Sequence, residues 1–269
     1  MNFEILLSTQ RRSDLEFLKP MFTHNDLNDF NILIINQTTQ GQELHSDISN
    51  IRVINSFETG SPRSRNQAIL NAKGDICLMA DDDIVYEPDF KQTILDAYRV
   101  NSNADLITFE ATDKDHNRYL VYPDEGEYKK NQFRVNTYVI SFKRSEIQQS
   151  GTLFNPHFGV GSTFPGSTEF LFMSNAWKNH LKMLHVSKFI AMHPQESSGK
   201  RQGSDAAVSS RTALRYRLYG WLSIPWLIKY IFNMTRFGYI RPSDFFHKFR
   251  IGLDAVKTYR RLSRSGDIN

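Results

Sequence analysis

Short apolar runs alternate with helix-forming segments through the first half of this chain. Four such runs occupy residues 3–7, 31–35, 51–54 and 76–80. Each has the length and composition of a buried strand. A helical pattern with Pro62 in its first turn separates the last two runs, and Pro88 opens another helix that reaches about Val100. The alternation predicts an α/β fold, with a Rossmann-like mixed sheet flanked by helices.

Residues typical of helix ends predict where several elements begin and stop. Ser13 and Glu16 have the spacing of a capping box for a helix that runs to about His24. Ser61 is expected to cap the next helix, and Gly74 to occupy the position after its last turn. Later strands are expected at 105–109, 138–142 and 188–192, and a helix at 168–181.

Three consecutive carboxylates, Asp81, Asp82 and Asp83, follow the fourth apolar run. Ionised carboxylates beside a buried strand are costly unless a cation meets them. In an α/β sheet, ligands bind beyond the carboxyl ends of the strands. A divalent cation shared with the phosphates of a nucleotide would therefore suit this position, and a solvated acidic turn is the alternative.

Charge is distributed unevenly along the chain. The 269 residues carry a net charge of +4, whereas residues 211–269 carry +9, from 12 Lys/Arg against 3 Asp/Glu. An acidic body with a basic tail predicts two domains, at 1–210 and 211–269. The single cysteine, Cys77, lies within an apolar run. It excludes a disulfide framework and indicates a reducing compartment.

Several motifs occur in a set order in the first part of the chain. They are residues 5–9 (Ile-Leu-Leu-Ser-Thr), 65–69 (Arg-Asn-Gln-Ala-Ile), 72–75 (Ala-Lys-Gly-Asp) and 78–83 (Leu-Met-Ala-Asp-Asp-Asp), followed by Pro88. In this order and spacing the chain resembles the family 2 glycosyltransferases of the GT-A fold, over roughly residues 3–200. The resemblance implies an inverting, bacterial polysaccharide-type enzyme that takes a sugar from a nucleotide-diphosphate donor.

The resemblance also implies roles for the residues around the acidic motif. Asp83 is expected to bind Mn²⁺ or Mg²⁺, with Asp81 and Asp82 beside it in the donor site, one of them accepting from the ribose hydroxyls. Arg65 and Thr9 are further donor-binding candidates. The Arg65 guanidinium suits a phosphate or a base edge, and an exposed charge on the helix is the alternative.

A second motif ends at a candidate base. The glycine-rich segment 154–172 leads to Thr168 and Glu169, where the family has an acidic pair at a helix start. Glu169 falls at the place of the family's catalytic base. Such a base takes the proton of the acceptor hydroxyl as that oxygen attacks the anomeric carbon. The alternative is that Glu169 is only a favourable acid in the first turn of a helix.

A polar and basic loop is expected at residues 193–201. In related GT-A enzymes such a loop can close over the donor diphosphate, which implies His193 as an extra metal ligand and Lys200 as a phosphate ligand. A solvated loop histidine is the alternative. The family often has an aspartate that bonds the nucleotide base where residues 36–39 read Asn-Gln-Thr-Thr, but amides can also read a uracil edge.

The basic tail is rich in aromatic and aliphatic residues between 216 and 237, and a second basic stretch covers 245–262. These stretches are too short and interrupted to span a bilayer, and Pro225 is expected to kink or start a helix. The pattern favours peripheral membrane contact through residues 211–269 over nucleic acid as a partner. The alternative is a helical subdomain that packs on the body or on another subunit of a homo-oligomer.

These expectations describe a metal-dependent inverting glycosyltransferase of the hexosyltransferase type. Its donor would be a UDP-sugar and its acceptor a glycan or a lipid-linked molecule in cell-surface polysaccharide synthesis. The chain opens directly into a strand, so no signal peptide is expected, and the predicted location is cytoplasmic, at the inner face of the cell membrane. The alternatives are a non-catalytic membrane-associated scaffold and a sugar-nucleotide nucleotidyltransferase, which the absence of glycine from residues 8–12 disfavours.

Overall fold

The computed structural model describes residues 1–130, 132–194 and 202–268. The chain divides into two compact units. The first comprises Met1–Phe154 with Glu169–Glu196, and the second comprises Asn155–Thr168 with Ser197–Asn269. The division after residue 210, inferred from the charge distribution, remains a prediction about domain organisation.

A mixed sheet forms the centre of the first unit. Its strands are β1 (Phe3–Gln10), β2 (Asn31–Gln37), β3 (Ile51–Ser56), β4 (Ile76–Asp81), β5 (Val85–Tyr86), β6 (Leu106–Asp113), β7 (Gly126–Glu127), β8 (Ile140–Lys143) and β9 (Met183–His193). Its helices are α1 (Leu18–Met21), α2 (Ser61–Asn71), α3 (Phe90–Val100), α4 (Arg144–Ser150) and α5 (Thr168–Lys178). The predicted α/β fold is confirmed.

The strand order in the described residues is β3-β2-β1-β4-β8-β6-β9-β5, with β7 paired to β9. Strands β1 to β4 pair in parallel, whereas β8 runs antiparallel to both β4 and β6. The four apolar runs seen in the sequence all lie in the parallel part. Strands β1, β2 and β4 are covered on both faces and read as continuous hydrophobic segments, whereas the edge strand β3 is half-buried. Parallel pairing also brings the carboxyl ends of these strands to one edge.

The helix expected from Ser13 to His24 is wrong in extent. Only one helical turn forms, at α1, and its cap residue, Phe17, makes no side-chain cap. The Asp14 side chain instead accepts a hydrogen bond from the backbone N–H of Glu16 at 3.0 Å. A local bond of this kind competes with a capping box, and Pro20 offers no N–H for a longer helix.

The two caps expected for α2 are also wrong. Gly60, not Ser61, stands before the helix, and Ala72, in an extended conformation, ends it. Gly74 serves a different purpose, since a Cβ there would lie 2.6 Å from the Cβ of Glu4. The Gly74 N–H donates to Glu4 Oε2 at 2.8 Å. Close packing against a buried carboxylate, and not a left-handed turn, therefore requires this glycine.

Three helices dominate the second unit: α6 (Asp205–Tyr219), α7 (Ser223–Arg236) and α8 (Phe245–Arg264). Their shared core contains Val208, Leu227, Tyr230, Ile231, Met234 and Ile240. Gly252 lets α8 approach α7, because a Cβ there would lie 2.3 Å from a methyl of Leu227. Pro225 lies in the first turn of α7, so it starts that helix and does not kink it. No helix in the described part of the chain is long and apolar enough to cross a membrane.

Candidate active site

The carboxyl ends of β1 and β4 lie side by side, with Ser8 in register with Asp81. The residues that follow this pair, Thr9 and Asp82, are also in contact, since the Thr9 hydroxyl donates to Asp82 Oδ2. Two sequence-predicted donor-binding residues are therefore in direct contact. Their contact follows from parallel pairing, which places consecutive strand ends at one edge of the sheet.

Asp82 also binds an arginine that sequence reasoning missed. Arg12 Nη2 lies 2.6 Å from Asp82 Oδ2, and Arg12 Nε lies 3.0 Å from the same oxygen. The Arg12 guanidinium lies over the ring of Phe17, 4.8 Å from its centroid. The only indication in the sequence was a pair of arginines directly after β1, at the edge where the acidic motif ends.

Arg65 is buried, at 7% exposure, and joins two candidate site residues. Its Nη2 donates to Asp81 Oδ1 at 2.7 Å, and its Nη1 lies 3.7 Å from Glu169 Oε1. Burial alone would lower the pKa of Arg65, but the Asp81 and Glu169 carboxylates outweigh it and hold that pKa above its ordinary value. The alternative of an exposed helix charge is therefore wrong.

Glu169 lies in the first turn of α5, as expected. Its Oε1 accepts a hydrogen bond from the Thr137 hydroxyl at 2.7 Å. Thr137 lies in a short 3₁₀ turn, Thr137–Val139, directly before β8. This turn replaces the start of the strand that the sequence predicted at 138–142, and Thr137 was not recognised as a site residue. The hydroxyl and Arg65 together fix the orientation of the Glu169 carboxylate.

Asp83 and His193 also come together, with 3.3 Å between Asp83 Oδ2 and His193 Nε2. The hydrogen bond from His193 is the main reason that the pKa of Asp83 lies below its ordinary value. His193 is not a solvated loop residue, because it is buried and ends β9. Its ring lies against Tyr119 and Tyr138, at centroid distances of 5.0 and 5.5 Å.

Two other predicted residues have different outcomes. Lys200 lies outside the described residues, so its role as a phosphate ligand stays a prediction. Asn36 is fully buried, and its amide is hydrogen-bonded to the Arg12 backbone and to Asn55 Oδ1. Both ends of this amide are therefore engaged within the protein, and base reading by residues 36–39 stays a prediction.

The carboxylates at this edge and His193 form at most part of a divalent-cation site among the described residues. No group of three or more His, Cys, Asp or Glu side chains with metal-site geometry occurs in the described ranges. Asp81 and Asp82 are each paired with an arginine, which leaves the Asp83 and His193 pair. Mg²⁺-type ions often take only one or two protein ligands and complete their shell with water and substrate phosphates. Asp83 and His193 suit an ion that completes its shell in this way. They do not suit an ion whose ligands all come from the protein.

The model of "Glycosyl transferase family 2" matches residues 19–169, which is more than half of the chain. The chain therefore belongs to glycosyl transferase family 2. The predicted family and enzyme class are confirmed, and the nucleotidyltransferase alternative is set aside. No curated protein matches the sequence significantly.

Solved structures of S. aureus TarS share the fold. The crystal structure of TarS 1–349 has a TM-score of 0.57 at 11% identity, covering 99% of this chain and 92% of that one. Its complex with UDP-GlcNAc has a TM-score of 0.56 at 12% identity, with the same coverage. The complex of TarS 1–349 with UDP has a TM-score of 0.52 at 12% identity, again covering 99% and 92%. At this identity the likeness is one of fold.

Proposed function

We propose that this glycosyltransferase transfers a sugar from a UDP-sugar to a glycan or lipid-linked acceptor, with inversion, in cell-surface polysaccharide synthesis. The observation that carries the proposal is the buried Arg65, which joins the acidic motif at Asp81 to the candidate base Glu169. This contact joins Asp81 and Glu169, which are the proposed donor-side and acceptor-side carboxylates. The family match and the UDP-GlcNAc complex of TarS support the class of donor.

Asp83 and His193 are proposed as the protein ligands of Mn²⁺ or Mg²⁺, since their donor atoms are 3.3 Å apart. A bound divalent cation would offset the negative charge that develops on the leaving diphosphate. Asp81, Asp82 and Thr9 form the wall of the proposed donor site, in which Arg65 and Arg12 hold the first two carboxylates in place. The proposed role of Lys200 on phosphate completes this set.

Glu169 is proposed as the base of a single displacement. The acceptor oxygen forms a bond to the anomeric carbon while the bond from that carbon to the diphosphate breaks, and the hydroxyl proton passes to Glu169. Both described contacts of this carboxylate are made by Oε1, from Thr137 and Arg65. The proposed proton acceptor is therefore Oε2.

A donor assay tests the proposal. The purified protein is incubated with Mn²⁺ and, in turn, UDP-sugars, GDP-sugars and dTDP-sugars, and thermal stabilisation and sugar release are measured. A bound donor raises the apparent stability by mass action. We expect stabilisation by one UDP-sugar, its loss on chelation, and its loss in Asp83→Ala. Stabilisation by another nucleotide class alone, or equal stabilisation of Asp83→Ala, would contradict the donor site.

Peripheral membrane contact is proposed for the second unit. Its exposed large apolar residues include Ile228 and Phe232, at 46% and 61% exposure and one turn apart on α7, with Leu222 just before that helix. No acidic residue occurs between Asp205 and Asp244. Apolar side chains surrounded by cations suit the interface of an anionic bilayer, which we place at the inner face of the cell membrane.

A basic groove on α8 supports the same partner. It is lined by Lys257, Arg260, Arg261 and Arg264. The Arg260 guanidinium lies 4.9 Å from the ring centroid of Trp221, which is 59% exposed. An aromatic ring that would sit at the headgroup level therefore adjoins the cations of the groove.

Sedimentation with lipid vesicles tests this contact. Vesicles of phosphatidylcholine with phosphatidylglycerol should bind the protein, and pure phosphatidylcholine vesicles should bind it weakly. Ile228→Ser/Phe232→Ser should lower binding, whereas Leu70→Ser/Val100→Ser, at exposed apolar positions of the first unit, should not. Either of two results would favour the alternative of packing between subunits. One is an equal loss of vesicle binding in both variants, and the other is a dimer that dissociates only in Ile228→Ser/Phe232→Ser.

A further inference from the structure

Tyr138 has a buried hydroxyl with no partner among the described residues. The side chain is 3% exposed, and its oxygen makes no hydrogen bond within that part of the chain. The hydroxyls of three other buried tyrosines in the first unit, Tyr98, Tyr122 and Tyr128, are bonded. A buried polar group without a partner is costly, so such a group calls for an explanation.

The position of Tyr138 links it to both halves of the site. Its ring lies against His193, with 5.5 Å between centroids, and His193 in turn bonds Asp83. The preceding residue, Thr137, bonds Glu169. One short turn of the chain therefore contacts the candidate metal ligand and the candidate base. Tyr86 also has an unbonded hydroxyl, but its ring is stacked on Phe90 in the aromatic core.

The chemical state of Tyr138 makes it a hydrogen-bond donor. A tyrosine phenol keeps its proton near neutral pH, because its ordinary pKa is about 10. No described residue, Asp81 and Asp83 included, accepts a hydrogen bond from it. Its acceptor is therefore not supplied by the described part of the chain.

We propose that the Tyr138 hydroxyl donates a hydrogen bond to a phosphate oxygen of the bound donor, an inference that rests on the proposed function. The donor diphosphate is the group that the proposed function places beside Asp83 and His193. Anionic oxygens are the strongest acceptors available, so a phosphate would satisfy the phenol that the described residues leave without a partner. Tyr138 would then be a substrate-contacting residue that offsets charge on the leaving group.

Tyr138→Phe separates this role from a structural one. UDP is the probe, and its affinity is measured by calorimetry with Mn²⁺ present. We expect affinity to fall by about tenfold to a hundredfold, the usual worth of a hydrogen bond to a charged group. The melting temperature of the ligand-free variant should be unchanged or higher, because the substitution removes a hydroxyl that has no partner.

Tyr98→Phe is the matched control. Its hydroxyl is equally buried but bonded to Ser141 and to the backbone N–H of Ile107, each at 3.2 Å. We expect the melting temperature to fall by about 2–4 °C, with UDP affinity unchanged. The two variants should therefore show opposite patterns of stability and binding.

Two results would overturn the proposal while leaving the proposed function intact. One is a Tyr138→Phe variant that binds UDP as tightly as the wild type, even if binding of the whole UDP-sugar is weaker. The other is a ligand-free Tyr138→Phe variant that loses as much stability as Tyr98→Phe. A wild-type protein that does not bind UDP at all would instead overturn the proposed donor, and this inference with it.

Discussion

Charge is arranged differently at the sheet edge of the first unit and in the basic groove on α8 of the second. At the edge, the carboxylates of Asp81, Asp82 and Asp83 each have a cationic or hydrogen-bonding partner, in Arg65, Arg12 and His193. The basic groove on α8 is lined by four cations. One of them, Lys257, pairs with Asp254, and both of these side chains are exposed to solvent.

The difference separates two kinds of binding surface. Paired and partly buried charges hold their geometry before a ligand arrives, which is what a site of chemistry needs. Exposed surface cations keep their affinity for an external anion, and the strength of that attraction depends on salt. We therefore expect substitutions at the sheet edge to alter rate, donor binding and stability, and substitutions of the groove cations on α8 to alter mainly association with a surface.

Glu169→Gln should have the largest effect. It retains the shape of the side chain but removes the proton acceptor, so transfer should slow by about 10²–10⁴-fold. UDP affinity should change little, because the proposed donor contacts lie elsewhere. Glu146→Gln, which also alters a first-turn glutamate, is the control and should retain full rate. Full turnover in Glu169→Gln would remove this residue from the mechanism.

Arg65→Met should cause the next largest change, in stability. It would leave the Asp81 and Glu169 carboxylates facing each other without the cation between them, at a cost of about 3 kcal/mol. This lies at the low end for a buried ion pair, because both carboxylates are 29% exposed. Urea unfolding of the ligand-free protein measures the effect.

Arg63→Met is the control for Arg65, on the same helix. Arg63 is an exposed partner of Glu58 at 3.6 Å, so its loss should cost less than about 1 kcal/mol. Equal costs for the two variants would show that the buried arginine does not organise the edge, and the comparison between the two regions would fail.

Arg261→Gln/Arg264→Gln tests the other region. Each cation near an anionic bilayer contributes about 1 kcal/mol, so binding to phosphatidylglycerol vesicles should weaken by about 30-fold at low salt. Lys129→Gln/Lys130→Gln makes the same change in net charge on the first unit, at exposed positions, and should have little effect. Equal losses would mean that total charge, and not the groove, governs binding.

The strands and the acidic motif could be predicted because each depends on neighbouring residues. A buried parallel strand is a continuous apolar run, and β1, β2 and β4 fit that pattern. The helix predicted at residues 13–24 is wrong in extent, because only the turn Leu18–Met21 forms. Its capping pattern was present, but the Asp14 bond to the backbone outweighed it.

The partners of the site residues could not be predicted, because they depend on tertiary packing. Arg12 reaches Asp82 across 70 residues, and Thr137 reaches Glu169 across 32. No sequence pattern around Arg12 or Thr137 indicates a partner that lies so far away along the chain. His193 shows the intermediate case. It was predicted as a candidate ligand at the start of a loop after a strand at 188–192, whereas it is the buried last residue of β9.

The smallest predicted effect concerns acid stability at Asp83. The hydrogen bond from His193 holds the pKa of Asp83 below its ordinary value in the folded protein. The stabilisation is therefore present above the unfolded-state pKa of about 3.9 and is lost as pH falls through the lower folded-state pKa. Asp83→Asn should flatten this part of the stability curve, measured by urea unfolding between pH 2.5 and pH 6.

Arg261→Gln/Arg264→Gln should leave the fall in stability at acid pH (the acid limb of the stability curve) unchanged, because arginine does not titrate in this range. This contrast tests whether charge at the sheet edge is coupled to folding while charge on α8 is not. An acid limb that is identical in Asp83→Asn and the wild type would show that the Asp83–His193 contact does not contribute to the folded state. The pair would then act only when a ligand is bound, and the proposed pre-organisation of the edge would be limited to Asp81 and Asp82.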